Sequence, residues 1–150
     1  MRISDLNTPY YEFVVETTEL NEDMSIVRPL VSKEDFQAVL NDVNQLWNKL
    51  SMKLMMFRFD IHVVQRINER KIMLPDLRNL FRDVYRIHGK ELQQIAIMNP
   101  KFSGVMRDKR SFLNVPFETY LNGDDGVIDV RISTAMRKEY FKSWTPFFRV

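Results

Sequence analysis

An imidazole and two guanidinium groups recur every four residues in the segment FDIHVVQRINER, which covers residues 59–70. If this segment is a helix, His62, Arg66 and Arg70 share one face, because residues four apart are neighbours on a helix surface. The apolar residues of the segment occupy the other face. Imidazole transfers protons near neutral pH, and guanidinium binds phosphate through paired donors. The spacing therefore indicates chemistry on a phosphate-containing substrate.

The composition excludes several other chemistries. The chain has no Cys, which rules out thiolate metal ligands, and only two His, which disfavours a zinc site built from imidazoles. It also has no P-loop, no GxGxxG fingerprint and no nucleophile elbow. We therefore predict neither a metal nor another cofactor.

The remaining groups are His62, His88, many Arg and the Ser133-Thr134 pair, and they suit metal-independent RNA cleavage. In that reaction the 2′-hydroxyl attacks the adjacent phosphate, imidazole moves protons and guanidinium stabilises the phosphorane.

The length and the charge of the chain indicate its number of domains and the kind of partner that it binds. A chain of 150 residues with 45% hydrophobic residues predicts a single domain over residues 1–150. Residues 1–50 carry 4 Lys+Arg against 9 Asp+Glu, whereas residues 51–100 carry 9 against 5 and residues 101–150 carry 9 against 6. The basic part hints at a polyanionic partner, although solvated surface charge is the better explanation on charge alone. No run of 18 apolar residues and no signal-peptide pattern occurs, so we expect a cytoplasmic protein without a membrane segment.

The apolar periodicity predicts helices at residues 33–51, at residues 61–70, and from Pro75 to about His88-Gly89. Ser32 and Asp35 form a capping box before the first helix, and Asp60 is the expected N-cap of the second. Pro75 suits the first turn of the third helix, and Gly89 suits its end.

Shorter alternating patterns predict strands at residues 10–20, 90–98, 110–121 and 126–134, with an extended connection at 52–59 and a loop at 99–110. Residues 122–125, Asn-Gly-Asp-Asp, form a turn between the last two strands. In the last strand Ile128, Val130 and Ile132 alternate with polar residues, which predicts one buried and one polar face. The aromatic tail either covers the sheet or adds a strand. This order predicts an α+β fold with an N-terminal edge strand and helices packed on a C-terminal antiparallel sheet.

The string HVVQRINERKIMLPDLRNLF at residues 62–81 resembles the core motif of the RegB-like endoribonucleases of T-even phages. That motif is a His, two apolar residues, an Arg four residues after the His, another Arg four further on, then an Ile and a Leu-Phe pair. The segment DVRISTAMR at residues 129–137 is similar to a strand near the C-terminus of that family. The resemblance extends with gaps over residues 53–137. It implies a RelE-like fold, shared with RelE-like and colicin-like ribonuclease toxins.

By position, the resemblance implies catalytic roles for His62 and Arg66. The family has a second functional His after its Leu-Phe pair, and this chain has Arg82 there. Either His88 takes over the proton transfer, or Arg82 acts only through its charge. The side chains that we expect to bind RNA are Arg70, Arg78, Lys90, Arg131, Ser133 and Thr134.

The resemblance also implies metal-free cleavage of purine-rich ribosome-binding sequences in messenger RNA, within a host cytoplasm. It further implies a cyclic phosphate product and stimulation by a host ribosomal protein. Two other functions remain open. One is a non-enzymatic protein that binds RNA or a partner through its basic face. The other is a RelE-like ribonuclease toxin controlled by an antitoxin, which the small net charge of +2 slightly disfavours.

Overall fold

The computed structural model describes residues 30–49, 55–121 and 126–150. Within them, residues from Ser32 onward belong to one compact unit. The strand predicted at residues 10–20 and the turn predicted at residues 122–125 lie outside the described residues. None of the described helices is long and apolar enough to cross a lipid bilayer.

The described helices are α1 (Lys33–Trp47), α2 (Ile61–Glu69) and α3 (Leu74–Met98). The predicted capping box of α1 is confirmed, because Ser32 and Asp35 bind each other's backbone N–H groups. Asp60 caps α2 as predicted, accepting a hydrogen bond from the His62 backbone N–H at 2.9 Å. Pro75 lies in the first turn of α3, also as predicted. Helix α1 ends at Trp47, four residues before its predicted end.

The predicted end of the third helix was wrong, and so was the strand predicted at residues 90–98. Helix α3 continues through Gly89 to Met98 without a break. Leu92 and Ala96 are fully buried and lie four residues apart, which continues the buried stripe of the first half of the helix. The buried Gln93 side chain also donates to the Trp47 backbone oxygen at 2.9 Å, which ties this second half to α1.

The described strands form a single sheet of six, namely β1 (Met55–Phe59), β2 (Ser103–Arg107), β3 (Leu113–Leu121), β4 (Ile128–Ile132), β5 (Met136–Arg137) and β6 (Phe147–Arg149). Their order is β1-β4-β3-β2-β6, and β5 pairs with the start of β3. Strand β2 lies where a loop was predicted. The aromatic tail supplies β5 and β6, which is one of the two outcomes expected for it.

The α+β class is confirmed, but the sheet is mixed and not antiparallel as predicted. Strand β1 runs parallel to β4, and β6 runs parallel to β2. Only the β3 pairings are antiparallel. Along the chain, helices α2 and α3 come between β1 and the later strands. A connection of this length allows β1 to run parallel to β4.

Aromatic rings fill the core between the helices and one face of the sheet. The Phe57 ring of β1 lies 5.2 Å from the Trp47 ring and 5.7 Å from the Phe81 ring, centroid to centroid. Phe36 packs edge-on against Phe59 at 4.6 Å. Strand alternation turns the neighbouring residues to the opposite face, which we call the polar face. Its central residues are Arg58, Glu118, Tyr120, Asp129 and Arg131.

Candidate functional site

Helix α2 presents the predicted stripe of His62, Arg66 and Arg70 to solvent, since all three are exposed. Its apolar residues Val63, Val64 and Ile67 are buried, so the amphipathic reading of this segment is confirmed. The helix follows β1 directly, and His62 lies in its first turn. The sequence predicted this exposed stripe because a short amphipathic helix packs its apolar side against the core and so leaves its polar side in solvent.

The His62 ring contacts a side chain of its own helix. Its Nδ1 lies 3.3 Å from Oε1 of Gln65. A carbonyl oxygen accepts, so this contact favours the tautomer with the proton on Nδ1. The other ring nitrogen, Nε2, then keeps a lone pair that can accept a proton.

The two arginines of the stripe differ in how firmly they are held. Arg66 pairs with Glu69 at 3.0 Å, but both side chains are about half exposed or more, and such surface pairs contribute little. Arg70 donates to Thr134 Oγ1 at 3.0 Å and to the Ala135 backbone oxygen at 2.9 Å. Arg70 therefore fastens the end of α2 to the chain that follows β4. The structure thus brings two of the predicted RNA-binding residues, Arg70 and Thr134, into contact. This contact joins two parts of the fold.

Strand β4 places Arg131 on the polar face, as its alternation predicts. The guanidinium of Arg131 lies over the Tyr120 ring at 5.2 Å, and the Tyr120 hydroxyl donates to Glu118 at 2.6 Å. That hydrogen bond is the largest cause that raises the pKa of the Tyr120 hydroxyl; desolvation and the charge of Glu118 act in the same direction, and the charge of Arg131 opposes them. Ser133 lies exposed just beyond the strand. Its backbone N–H donates to the Pro116 oxygen at 3.0 Å.

The polar face contains a second arginine that the sequence analysis missed. Arg58 is the partner of Arg131 in the β1–β4 register. Its Nε donates to Asp129 at 2.7 Å, and this pairing leaves the Asp129 residue only 8% exposed. Arg58 and Arg131 are neighbours because β1 and β4 pair in parallel, and a local sequence pattern does not show which strands pair.

The remaining predicted RNA-binding residues, Arg78 and Lys90, and the predicted catalytic residue Arg82 lie on α3, away from the polar face. Arg78 pairs with Asp42 of α1 at 3.4 Å. Arg82 donates to Asn79 at 2.9 Å and lies 4.0 Å from Asp83, both on its own helix. Lys90 is exposed.

His88 has a structural position. Its Nε2 lies 2.8 Å from the Arg149 backbone oxygen, and its ring packs edge-on against Phe148 at 5.7 Å. Its Nδ1 lies 3.4 Å from Glu91, and the side chain is only 23% exposed. An imidazole that donates from Nε2 to a carbonyl cannot use that nitrogen to take a proton from substrate.

The two histidines do not meet. His62 follows β1 and His88 holds β6, which are the two edge strands of the sheet as described. Four strand spacings separate these edges, or roughly 19 Å at about 4.8 Å each. The structure therefore does not assemble them into one proton-transfer pair.

Within the described ranges, no three His, Asp or Glu side chains are grouped so that they could hold a metal ion. Comparisons with protein-family models, with curated proteins and with solved structures find no significant match.

Proposed function

We propose that the protein is a metal-independent endoribonuclease of RelE-like fold that cleaves messenger RNA in the cytoplasm. The observation that supports this best is the exposed His62 ring in the first turn of α2, one turn from the accessible guanidinium of Arg66. Arg58, the penultimate residue of β1, lies four residues before His62. In this proposal, the RNA strand runs over the polar face and passes the end of β1 to reach His62.

In the proposed reaction, Nε2 of His62 takes the proton of the 2′-hydroxyl as that oxygen attacks the phosphorus. Arg66 stabilises the negative charge of the phosphorane with two parallel hydrogen bonds. The bond to the 5′ oxygen then breaks, and this oxygen takes a proton from water because His88 is held at the other edge. The hydroxide left behind takes the proton from Nε2 of His62, which restores the base for the next turnover. The products are a 2′,3′-cyclic phosphate and a 5′-hydroxyl end. Arg82 contributes charge alone.

The sequence resemblance adds two details to this proposal. The substrates are purine-rich ribosome-binding sequences, and a host ribosomal protein stimulates cleavage. Neither detail has a counterpart among the contacts of the described residues.

The second candidate is an RNA-binding protein that does not cleave. The specific observation in its favour is that His88 is engaged by β6, which leaves one exposed imidazole in a chain that has two His. In this case the arginines of the polar face hold the phosphate backbone, and His62 is one more polar contact.

Cleavage of end-labelled messenger fragments in the presence of EDTA separates the candidates. We expect cuts that end in a cyclic phosphate, a loss of about 10²–10⁴-fold in rate for His62→Ala, and unchanged RNA affinity. Gln45→Ala, at an exposed position of α1, is the matched control and should cut like the wild type. Tight binding without cuts in the wild-type protein would refute the endoribonuclease and support the second candidate. Absence of both binding and cutting would refute both.

A further inference from the structure

The segment between β5 and β6, residues 138–146, exposes two large aromatic side chains. Trp144 is fully exposed and Tyr140 is 80% exposed. Trp is usually highly buried in folded proteins, and exposing an indole leaves a large apolar area in water. The chain has two Trp, and the other one, Trp47, is completely buried in the core. An exposed Trp on an ordered segment therefore calls for a partner.

The segment is anchored at its start and near its end. Arg107 donates to the Lys138 and Glu139 backbone oxygens at 3.1 and 2.7 Å. The Phe141 ring packs perpendicular to the Phe147 ring of β6 at 6.2 Å. At the end of the segment, the Pro146 backbone oxygen accepts a hydrogen bond from the Val105 N–H at 2.9 Å. The first and last of these contacts hold the backbone on either side of the exposed rings.

A local turn also restricts the backbone at Trp144. The hydroxyls of Ser143 and Thr145, its two neighbours, lie 2.8 Å apart, and the Thr145 N–H is 3.2 Å from the Ser143 hydroxyl. A turn closed on both sides of a residue restricts its backbone. The backbone that carries the exposed indole is thus restricted in advance, which lowers the entropy lost when a ligand binds.

The charge around these rings is mostly positive. Lys138 and Lys142 are exposed within the segment, against the single acid Glu139. Arg149 lies over the Phe147 ring at 4.5 Å. Phe147 pairs with Val105 and Arg149 with Arg107 in the parallel register, so these four side chains point away from His88 and toward the polar face.

We propose that Tyr140 and Trp144 form a base-stacking subsite for single-stranded RNA, with Lys138 and Lys142 meeting the phosphates on either side. Aromatic rings interleaved with cations are the usual equipment for single-stranded nucleic acid, because every base offers a face for stacking. A protein partner fits less well, because two lysines within five residues would have to be desolvated at its interface. This inference rests on RNA being the ligand of the proposed function, and it extends the RNA path along the polar face beyond β3.

The native Trp144 serves as the probe, since Trp47 is buried and acrylamide reaches only exposed indoles. The experiment uses a 12-nucleotide single-stranded RNA and full-length His62→Ala protein, in which we expect cleavage to be about 10²–10⁴-fold slower than in the wild type. RNA should quench the red-shifted emission of Trp144 and protect it from acrylamide. Heparin, a polyanion without bases, should leave both signals unchanged. Equal responses to heparin and RNA would show that charge alone brings the ligand there and would overturn the stacking role.

Binding measured by RNA anisotropy gives the second readout. Trp144→Ala should lose roughly 5- to 100-fold in affinity, the range expected for one stacked base. Trp144→Phe keeps a ring and should recover most of the affinity, which separates stacking from damage to the segment. Tyr140→Ala, read through the Trp144 emission, should also weaken binding. An affinity for Trp144→Ala within twofold of the parent would refute the subsite.

Two further outcomes separate this inference from its alternatives. If Trp144 emission shifts with protein concentration alone, together with a doubled mass in sedimentation, the surface binds a second copy and the RNA subsite is wrong. If wild-type protein binds RNA through Trp144 and never cuts it, the subsite stands and the endoribonuclease falls. If Trp144→Ala cuts with an unchanged KM, cleavage stands and the subsite falls.

Discussion

Replacing His88 by Ala tests whether this residue belongs to the catalytic machinery or to the fold. The substitution removes two contacts of the ring with β6, the 2.8 Å contact to the Arg149 oxygen and the edge-on packing against Phe148. It also removes the 3.4 Å contact to the exposed Glu91 of the same helix, which as a surface pair contributes little. Strand β6 is only three residues long, and apart from β2 it meets α3, where His88 lies. The substitution therefore loosens one edge of the sheet and leaves the α2 surface untouched.

The magnitude follows from these two contacts. A hydrogen bond contributes about 0.5–1.5 kcal/mol and an aromatic pair about 0.5–1.5 kcal/mol beyond its buried area. Their sum predicts a loss of about 1–3 kcal/mol in the free energy of unfolding. For a chain of this length, each kcal/mol lowers Tm by roughly 2–4 °C. We therefore expect Tm to fall by roughly 2–12 °C.

Thermal unfolding and cleavage assays on the same preparation check this expectation. Gln94→Ala, at an exposed position later in α3, is the matched control and should change stability by less than about 0.5 kcal/mol. At a temperature where all variants are folded, His88→Ala should cut RNA at the wild-type rate. A rate lower by a hundredfold or more with an unchanged Tm would refute the structural role and return His88 to the reaction.

Three more substitutions test other parts of the molecule. Arg66→Lys should lower the turnover number more than the RNA affinity in single-turnover assays, because an ammonium cannot bind two phosphorane oxygens at once; an unchanged turnover number would leave Arg66 as a partner of Glu69 only. Gly104→Ala should lower the free energy of unfolding, measured in urea, by about 1–3 kcal/mol. The reason is that the new Cβ would lie 2.8 Å from the Phe117 ring and 2.9 Å from the Phe148 ring. Ser103→Ala is the control and should have little effect. Burial raises the pKa of the Asp108 carboxyl, but hydrogen bonds from Arg110 and Ser111 outweigh this and lower it overall. Its ionised form thus stabilises the protein above its ordinary pKa of about 3.9, and this contribution disappears as the pH falls through the lowered value. Urea unfolding should accordingly show the stability difference between wild type and Asp108→Asn shrinking below about pH 4; a constant difference would refute the assignment.

Helix α2 was predictable to within one residue because its signals agree with one another. Asp60 marks the start, and the apolar residues fit one helical face. The error in α3 arose where such signals conflict. Gly89 is typical of a helix end, and the run of residues 90–98 mixes apolar and polar residues at both periods. What decides between helix and strand there is tertiary, namely the burial of Leu92 and Gln93 against α1, and no local pattern contains that information.

The same limit applies to the polar face. Alternation in residues 128–132 showed that Arg131 lies on it, but alternation cannot say which strand is the neighbour. The parallel pairing with β1 brings Arg58 next to Arg131, from 73 residues earlier in the chain. A single slip in that register would turn Arg58 into the core, so the position of this arginine depends on the whole β1–β4 pairing.

Among the described residues, two groups of arginines differ in their consequences for binding. Arg58, Arg70 and Arg107 are held by side chains or backbone oxygens distant in sequence, and each joins two elements of the fold. Arg66, Arg82 and Arg86 pair with residues of their own helices, three or fewer positions away. Guanidinium groups of the first kind are already immobilised and shape a surface, whereas those of the second kind can leave a weak surface pair for a phosphate at little cost. The residue that meets the reacting phosphate should therefore be sought in the second group, and of its members only Arg66 lies one turn from an exposed imidazole.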